Sequence, residues 1–361
     1  MKVDYLIVGS GLTGATIARH LADNNREVMV IDRRPHGGGN VHDQIHESGI
    51  RMHTYGPHYF RTNSDELWKY VNRFGSFYRF EAQVKSWVDG AYEHWPVNES
   101  YIQKLVGVPW QPAHQGVAGN FEEASLAMMP RLIYEKFVKG YSEKQWGVAA
   151  SLLSADLAKR FNVRSDDDPR FSRHKYQGLP TDGYAGWMAR MLEGIPTKLN
   201  IDFLQDRDAY QARRLLIFTG PIDEFFDFSL GKLQYRGQQR SHRFLPDIDY
   251  AHPYPQINNP QAHNGPHIRT LEWKHMLPPH LAKQISGTLL TTEQTITPTL
   301  PDHYEYPFPD AANRNLFKQY AQLASQEQDT LICGRLGEYR YYDMDQAISR
   351  ARMLAAKILQ S

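Results

Sequence analysis

Cysteine is almost absent from this sequence: its 361 residues include one, Cys333. A lone thiol excludes an internal disulfide, a C-x-x-C redox pair and a thiolate zinc site. Nothing around Cys333 marks a nucleophile, so it reads as a core residue. An excess of either charge is missing too. Lys and Arg total 41 against 40 Asp and Glu, a formal net charge of +1. That balance excludes a basic nucleic-acid coat and an acidic solvating tail. No apolar run approaches the ~18 residues of a membrane span. Met1-Lys2 leads straight into patterned sequence, without the apolar stretch and cleavage site of a signal peptide. Internal repeats and low-complexity tracts are lacking. The expectation is a cytoplasmic globular protein with no metal site, no nucleic-acid partner and no membrane span.

Aromatics are plentiful, with 21 Tyr, 16 Phe and 7 Trp. Such rings line pockets for bases and sugars, and they also fill cores. At ~100–200 residues per domain the length suggests two or three domains. Residues 3–8 (VDYLIV) form an apolar run ended by Gly9, and residues 28–31 form another ended by Asp32. Between them Ala15, Ala18, Leu21 and Ala22 recur at helical spacing. Strand, glycine turn, helix and strand in that order open a βαβ unit.

The turn reads Gly9-Ser10-Gly11-Leu12-Thr13-Gly14, a G-x-G-x-x-G, with Asp32 placed 21 residues beyond Gly11. In this context it is a dinucleotide fingerprint. Gly9 makes the turn, Gly11 lets a pyrophosphate approach the backbone, and Gly14 allows close helix packing. The helix N-terminus supplies amide donors. Asp32 is expected to accept from the adenosine ribose, and its charge disfavours a 2′-phosphate. The plainer alternative is a glycine turn without a ligand. Beyond Asp32 come Arg33, then Gly37, Gly38, Gly39 and Asn40. An acid, a base and a glycine pair resemble the extended motif of glutathione-reductase-like FAD proteins, where FAD runs past the second glycine group. No second G-x-G-x-x-G follows, so a separate NAD(P)H domain is not expected.

Further along, residues 121–162 carry apolar groups at helical spacing around Leu126, Met129 and Leu132. Residues 163–183 are polar and turn-rich and read as a mobile loop. Residues 215–218 read as a buried strand returning to the first domain, and 245–267 as loops between sheet strands. Residues 331–333 form a short strand. Ala347, Ile348, Ala351, Leu354, Ala355 and Ile358 then make one face of a last helix.

Four segments carry a family resemblance: the fingerprint through GGGN, YGPHYFRTN (55–63), KGYSEKQWG (139–147) and GRLGEYRYYDMDQ (334–346). With these the chain resembles the prokaryotic UDP-galactopyranose mutases from its first strand to its last helix, least well over 98–120 and 238–256. The resemblance implies an α/β fold. An FAD-binding, Rossmann-like domain of glutathione-reductase type (1–80, about 205–230 and 325–361) carries two insertions. One is a helical bundle (about 98–190) with a mobile lid at 163–183. The other is a mixed, largely antiparallel β-sheet domain (about 81–97, 191–204 and 231–324). It also implies FAD, active when reduced, a UDP-sugar substrate, an external reductant such as NAD(P)H, and a homodimer.

Site residues follow from the same resemblance. Arg160 and Arg269 resemble the arginines that clamp the diphosphate. Phe137, Tyr141, Gln145 and Trp146, at one-turn spacings, resemble residues that sandwich and hydrogen-bond uracil; ordinary core is the alternative. Tyr306 and Tyr341 resemble phosphate donors, Asn259 a sugar-facing amide, and His58 the histidine of the flavin-edge loop. Arg335, Asp343 and Met344 join Gly9, Gly11, Leu12, Gly14, Asp32, Arg33, Gly38, Gly39 and Asn40 as cofactor residues. Three positions depart from the family pattern: Arg61 replaces a histidine, Ala82 an asparagine, and Phe171 a phosphate-donating tyrosine.

The implied reaction is contraction of a UDP-hexopyranose to the furanose through a covalent sugar adduct at flavin N5. UDP-galactose is the first substrate expected. Arg61, a donor-only side chain, points to UDP-N-acetylgalactosamine as well, unless it faces solvent or pairs with a carboxylate. A mutase acting on another nucleotide hexose, an FAD-dependent oxidase or dehydrogenase of amines or alcohols, and an inactive nucleotide-binding flavoprotein are the alternatives.

Overall fold

The computed structural model describes residues 1–160 and 162–360; the side chain of Arg160 lies outside the described residues. Lys2–Val8 (β1), Leu12–Asp23 (α1) and Val28–Ile31 (β2) form the expected βαβ opening. All four residues of β2 are buried, as a strand covered on both faces requires. A five-stranded parallel sheet grows around them in the order 197–198, β2, β1, 211–218, 330–332. Thr197–Lys198 therefore belongs to this sheet and not to the second β-domain, where 191–204 was expected. The pairing that decides it is Thr197 beside Val30 and Lys198 beside Ile31.

On one face of the sheet α1 packs against the last helix, Met344–Gln360. Ala15, Ala18, Leu21, Ile348, Ala351 and Ala355 are wholly buried, and the alanines let the two backbones come close. Helix Gly183–Met191 adds to this layer, with Trp187 and Met191 in the same core. Asp43 caps it, accepting from the amides of Tyr184 at 2.6 Å and Ala185 at 2.9 Å.

A second sheet has seven strands in the order 306–307, 235–245, 288–296, 269–272, 256–258, 84–88, 91–95. Its pairings are antiparallel except that between 256–258 and 84–88. The stretch 245–267 thus contains a strand, Gln256–Asn258, besides loops. Helices cover one end of this sheet: Glu99–Val106, Phe121–Leu126 and a helix over 131–146, around a core that includes Ile133, Tyr134 and Val138. Leu132 faces outward there.

The mobile loop expected at 163–183 is corrected in its second half. Tyr176–Pro180 is the central strand of a three-stranded antiparallel sheet, between Phe60–Thr62 and Phe77–Arg79. Trp68 stacks on Tyr176 at 5.0 Å, apolar burial that the polar composition of the loop hid. The first half is held by buried Arg164, which donates to the carbonyls of Asp168, Arg170 and Phe171.

Candidate functional site

A cleft opens at the carboxyl ends of β1 and β2, where ligands sit in open α/β sheets. Gly9 takes φ +104° to turn the chain. A Cβ on Gly14 would lie 1.9 Å from the Gly9 carbonyl oxygen, so Gly14 serves helix–turn packing and does not line the cleft. A Cβ on Gly11 would meet nothing nearer than the Gly39 Cα at 3.8 Å, leaving an open cradle. Gly38 and Gly39 take φ of +91° and +55°, and a Cβ on Gly39 would strike the Gly11 Cα at 2.8 Å. The two glycine groups therefore pack against each other at the rim of one cleft. Among the described residues no side chain caps α1, so its first-turn amides remain for a pyrophosphate.

Asp32 closes the cleft. Its Oδ2 accepts from the Ser10 amide at 2.7 Å and the Ser10 hydroxyl at 2.6 Å, and its Oδ1 from the Arg34 amide at 2.9 Å. A carboxylate offers about four lone-pair sites, so Oδ1 keeps one for a ribose hydroxyl. The residues present fit an adenine dinucleotide. Arg33 is corrected in role: it lines the cleft but forks onto Glu224 at 2.9 and 2.7 Å, which spends its guanidinium on the wall.

A second, larger cleft lies between the helices and the seven-stranded sheet. Asn40, His58, Arg335 and Met344 line both, so the clefts adjoin at these residues. The His58 Nδ1 sits 2.8 Å from the Gly56 carbonyl, and its amide donates to the His53 Nδ1 at 3.0 Å. Burial, then His53 and Arg335, hold the His58 ring well below its usual range, so it is neutral. Arg335 lies over the Tyr341 ring at 4.9 Å, and Tyr341 stacks on Tyr306 at 6.0 Å. Asp343 accepts from the Tyr341 hydroxyl at 3.2 Å and from Arg61 at 3.1 Å; it lines the second cleft only. Of the alternatives for Arg61, pairing with a carboxylate is the one observed, yet Arg61 remains in the cleft wall.

Tyr141, Gln145 and Trp146 line this cleft; Phe137 does not. Phe137 is 1% exposed and packs edge-on against Tyr101. The reason is a π-turn over Glu135–Lys139 inside the helix. Its wider repeat breaks the one-turn spacing, so Phe137 rotates into the core while Tyr141 and Gln145 stay on the cleft face. For Phe137 the core alternative holds. Gln145 is fixed from behind by Gln238 and Thr295.

Asn259 is also corrected. It is 3% exposed, and its amide donates to the Asn264 and His267 carbonyls within the 259–267 turn. Asn258, one residue earlier, lines the cleft, because successive strand side chains point to opposite faces. Gln256 shares that face and donates to the Asn258 Oδ1 at 2.9 Å.

Arg269 lines the cleft beside Tyr59, Tyr141 and Tyr306. Its Nε donates to Glu293, which is wholly buried. Glu293 also takes the Arg240 Nε at 2.8 Å, and Arg240 forks onto Glu305 at 2.8 and 2.9 Å. Burial pushes the Glu293 carboxyl up, and Arg269 and Arg240 more than reverse it, so it stays charged. This quartet was not foreseen from the sequence. Its one local signal is an acid inside the otherwise uncharged strand TLLTTEQTI.

The sequence matches the family described as UDP-galactopyranose mutase over residues 136–341, and an NAD(P)-binding Rossmann-like domain over residues 7–74. It is 32% identical to the dTDP-fucopyranose mutase of Escherichia coli over 365 residues, 96% of each chain. It is also 32% identical to a probable UDP-galactopyranose mutase of Klebsiella pneumoniae over 375 residues, 99% of this chain and 95% of that one. In fold it is similar to a crystal structure of reduced UDP-galactopyranose mutase, with a TM-score of 0.78 at 16% identity over 100% of this chain and 94% of that one. A redesigned putrescine oxidase shares the fold at a TM-score of 0.63 and 12% identity, with 100% of both chains covered.

Proposed function

The chain belongs to the UDP-galactopyranose mutase family, whose cofactor is FAD, and from that premise we propose that it contracts UDP-galactopyranose to UDP-galactofuranose and accepts UDP-N-acetylgalactosamine as well. The observation that carries this reading is that the two clefts adjoin and share four residues. A cofactor entering along the glycine cradle would reach Asn40, His58, Arg335 and Met344, the same residues that begin the substrate cleft.

Reduced FAD supplies the nucleophile toward the anomeric carbon when bound. The chain supplies position and charge. Arg269, with Arg160 by resemblance, holds the diphosphate as it leaves and returns, and Tyr306 and Tyr341 flank it. Tyr141 and Trp146 offer faces to the base, and Gln145 offers an amide edge. Asn258 accepts from Gln256 through its oxygen, and its amide nitrogen, which has no hydrogen-bond partner among the described residues, would donate toward the sugar. Neutral His58 carries no charge that would compete for the departing phosphate. The reading also includes an external reductant such as NAD(P)H, a cytoplasmic location and a homodimer.

The similarity to a dTDP-fucopyranose mutase favours a second reading, a different nucleotide hexose in the same site. The test is incubation of dithionite-reduced protein with UDP-galactose, UDP-N-acetylgalactosamine and dTDP-fucose, with the products separated chromatographically. Furanose product from the two UDP-sugars, without net consumption of reductant, is expected. Turnover of dTDP-fucose alone selects the second reading. Substrate-dependent reduction of oxidised flavin without ring contraction overturns both in favour of an oxidase.

A further inference from the structure

Three adjacent strands place Arg240, Glu293 and Arg269 in one row. Arg240 and Glu293 are register partners across one strand pair, and Arg269 and Glu293 across the next. The central carboxylate is divided between its neighbours. Oε1 takes the Arg240 Nε, and Oε2 takes the Arg269 Nε. The Arg240 fork is held on its far side by Glu305. Arg269 lines the cleft and makes no other hydrogen bond among the described residues, so neither η nitrogen is spent inside the row; Nη2 stands beside Gly56, 3.2 Å from where a Cβ there would lie. Above the row sits Gly56, at φ +87°, where a Cβ would lie 2.7 Å from the Glu293 Oε1. The loop that carries His58 therefore rests on the same carboxylate.

An arginine facing an undivided carboxylate closes on both oxygens with two parallel N–H donors. That arrangement would draw one η nitrogen of Arg269 out of the cleft. We propose that Arg240 is a positioning residue: by occupying one oxygen of Glu293 it restricts Arg269 to a single contact and aims its two η nitrogens at the substrate's diphosphate. This rests on the reading of Arg269 as the diphosphate ligand. A lysine at 240 lacks the planar fork needed to bridge Glu293 and Glu305 together.

The test measures the Kd for UDP, KM, kcat, flavin absorbance and Tm on the FAD-loaded enzyme. Arg240→Met is expected to raise the Kd for UDP and the KM at least tenfold. It should change kcat less than threefold and leave the flavin spectrum intact. Breaking one side of a buried ion pair also destabilises, so Arg240→Met/Glu305→Gln, which removes both charges, is the second variant. It is expected to regain Tm and not UDP affinity. If affinity returns together with Tm, or if either folded variant binds UDP within twofold of the natural protein, Arg240 is merely structural and the proposal is overturned. Arg269→Ala separates the two failures. No loss of UDP affinity there refutes the diphosphate reading itself, whereas a large loss there with none at Arg240→Met refutes only the positioning role.

Discussion

The guanidinium of Arg61 lies over the ring of Phe171, 5.2 Å from its centroid. Two of the three departures from the family pattern are thus one contact. Phe171 comes from the loop clasped by Arg164, and Arg61 from the strand 60–62. A tyrosine at 171 would offer the same face and a hydroxyl besides; phenylalanine keeps the face, which suits a cation, and loses the hydroxyl. Asp343 fixes the other side of the guanidinium.

Arg61→His is therefore expected to lower the kcat/KM ratio of UDP-N-acetylgalactosamine to UDP-galactose. An acetamido carbonyl left without its donor costs roughly 1–3 kcal/mol, or about 5- to 150-fold. Phe171→Ala should move the ratio the same way, because it frees the guanidinium that the ring supports. Steady-state kinetics on both sugars decide it, and an unchanged ratio in both variants removes Arg61 from sugar recognition.

Gly11→Val and Gly14→Ala should fail differently. Gly11 has open space where its Cβ would stand, so the valine variant folds and loses FAD. Gly14 has a carbonyl oxygen 1.9 Å away, so even alanine disrupts the fold. Flavin absorbance alongside a thermal melt distinguishes the two; a Gly11→Val protein that remains yellow contradicts the cradle.

Phe137→Ala is expected to cost about 3–5 kcal/mol of stability, as for a buried ring. Tyr141→Ala should leave Tm nearly unchanged and raise the KM for the nucleotide sugar. Urea unfolding and kinetics on both variants check the division that the π-turn imposes. Phe137→Ala with full stability and weakened UDP binding would return Phe137 to the base site.

Asp223 is wholly buried, accepting from the Leu233 amide at 2.9 Å, and burial raises its carboxyl to about 6. The folded state then keeps a proton that the unfolded chain releases near pH 4. Its contribution is complete below that value and is lost as pH rises through about 6. Relative to the natural protein, Asp223→Asn should gain on the order of 3 kcal/mol between pH 4 and pH 7. Denaturant melts at intervals across that window measure the difference, and parallel curves for the two proteins would rule out this titration.

The opening βαβ unit was legible because its signals are local: two apolar runs, three glycines and an acid at fixed spacings. Phe137 was not, since a spacing of four assumes an unbroken α-helix and nothing in EKFVK announces a π-turn. Asn259 was missed by one position because QIN is too short for alternation to set its phase. Arg240, Glu293 and Glu305 are brought together by strand pairing across 65 residues of sequence, a relation that no local pattern encodes. Thr197–Lys198 escaped for a similar reason, a two-residue strand being specified by its partner.

The first cleft draws most of its walls from residues within 8–13, 32–41, 201–204, 218–221 and 334–347. During synthesis at ~5–20 residues per second, its floor emerges in the first moments and its last wall only about three hundred residues later. The sheet beneath is stitched by pairings of 2–8 with 211–218 and of 211–218 with 330–332, closures that are slow to find. A nascent chain therefore displays the glycine cradle and its bare helix end long before anything encloses them. The cleft is thus enclosed only when residues 334–347 are in place, and a truncation that removes the final helix should abolish flavin binding even though every residue of the fingerprint is present.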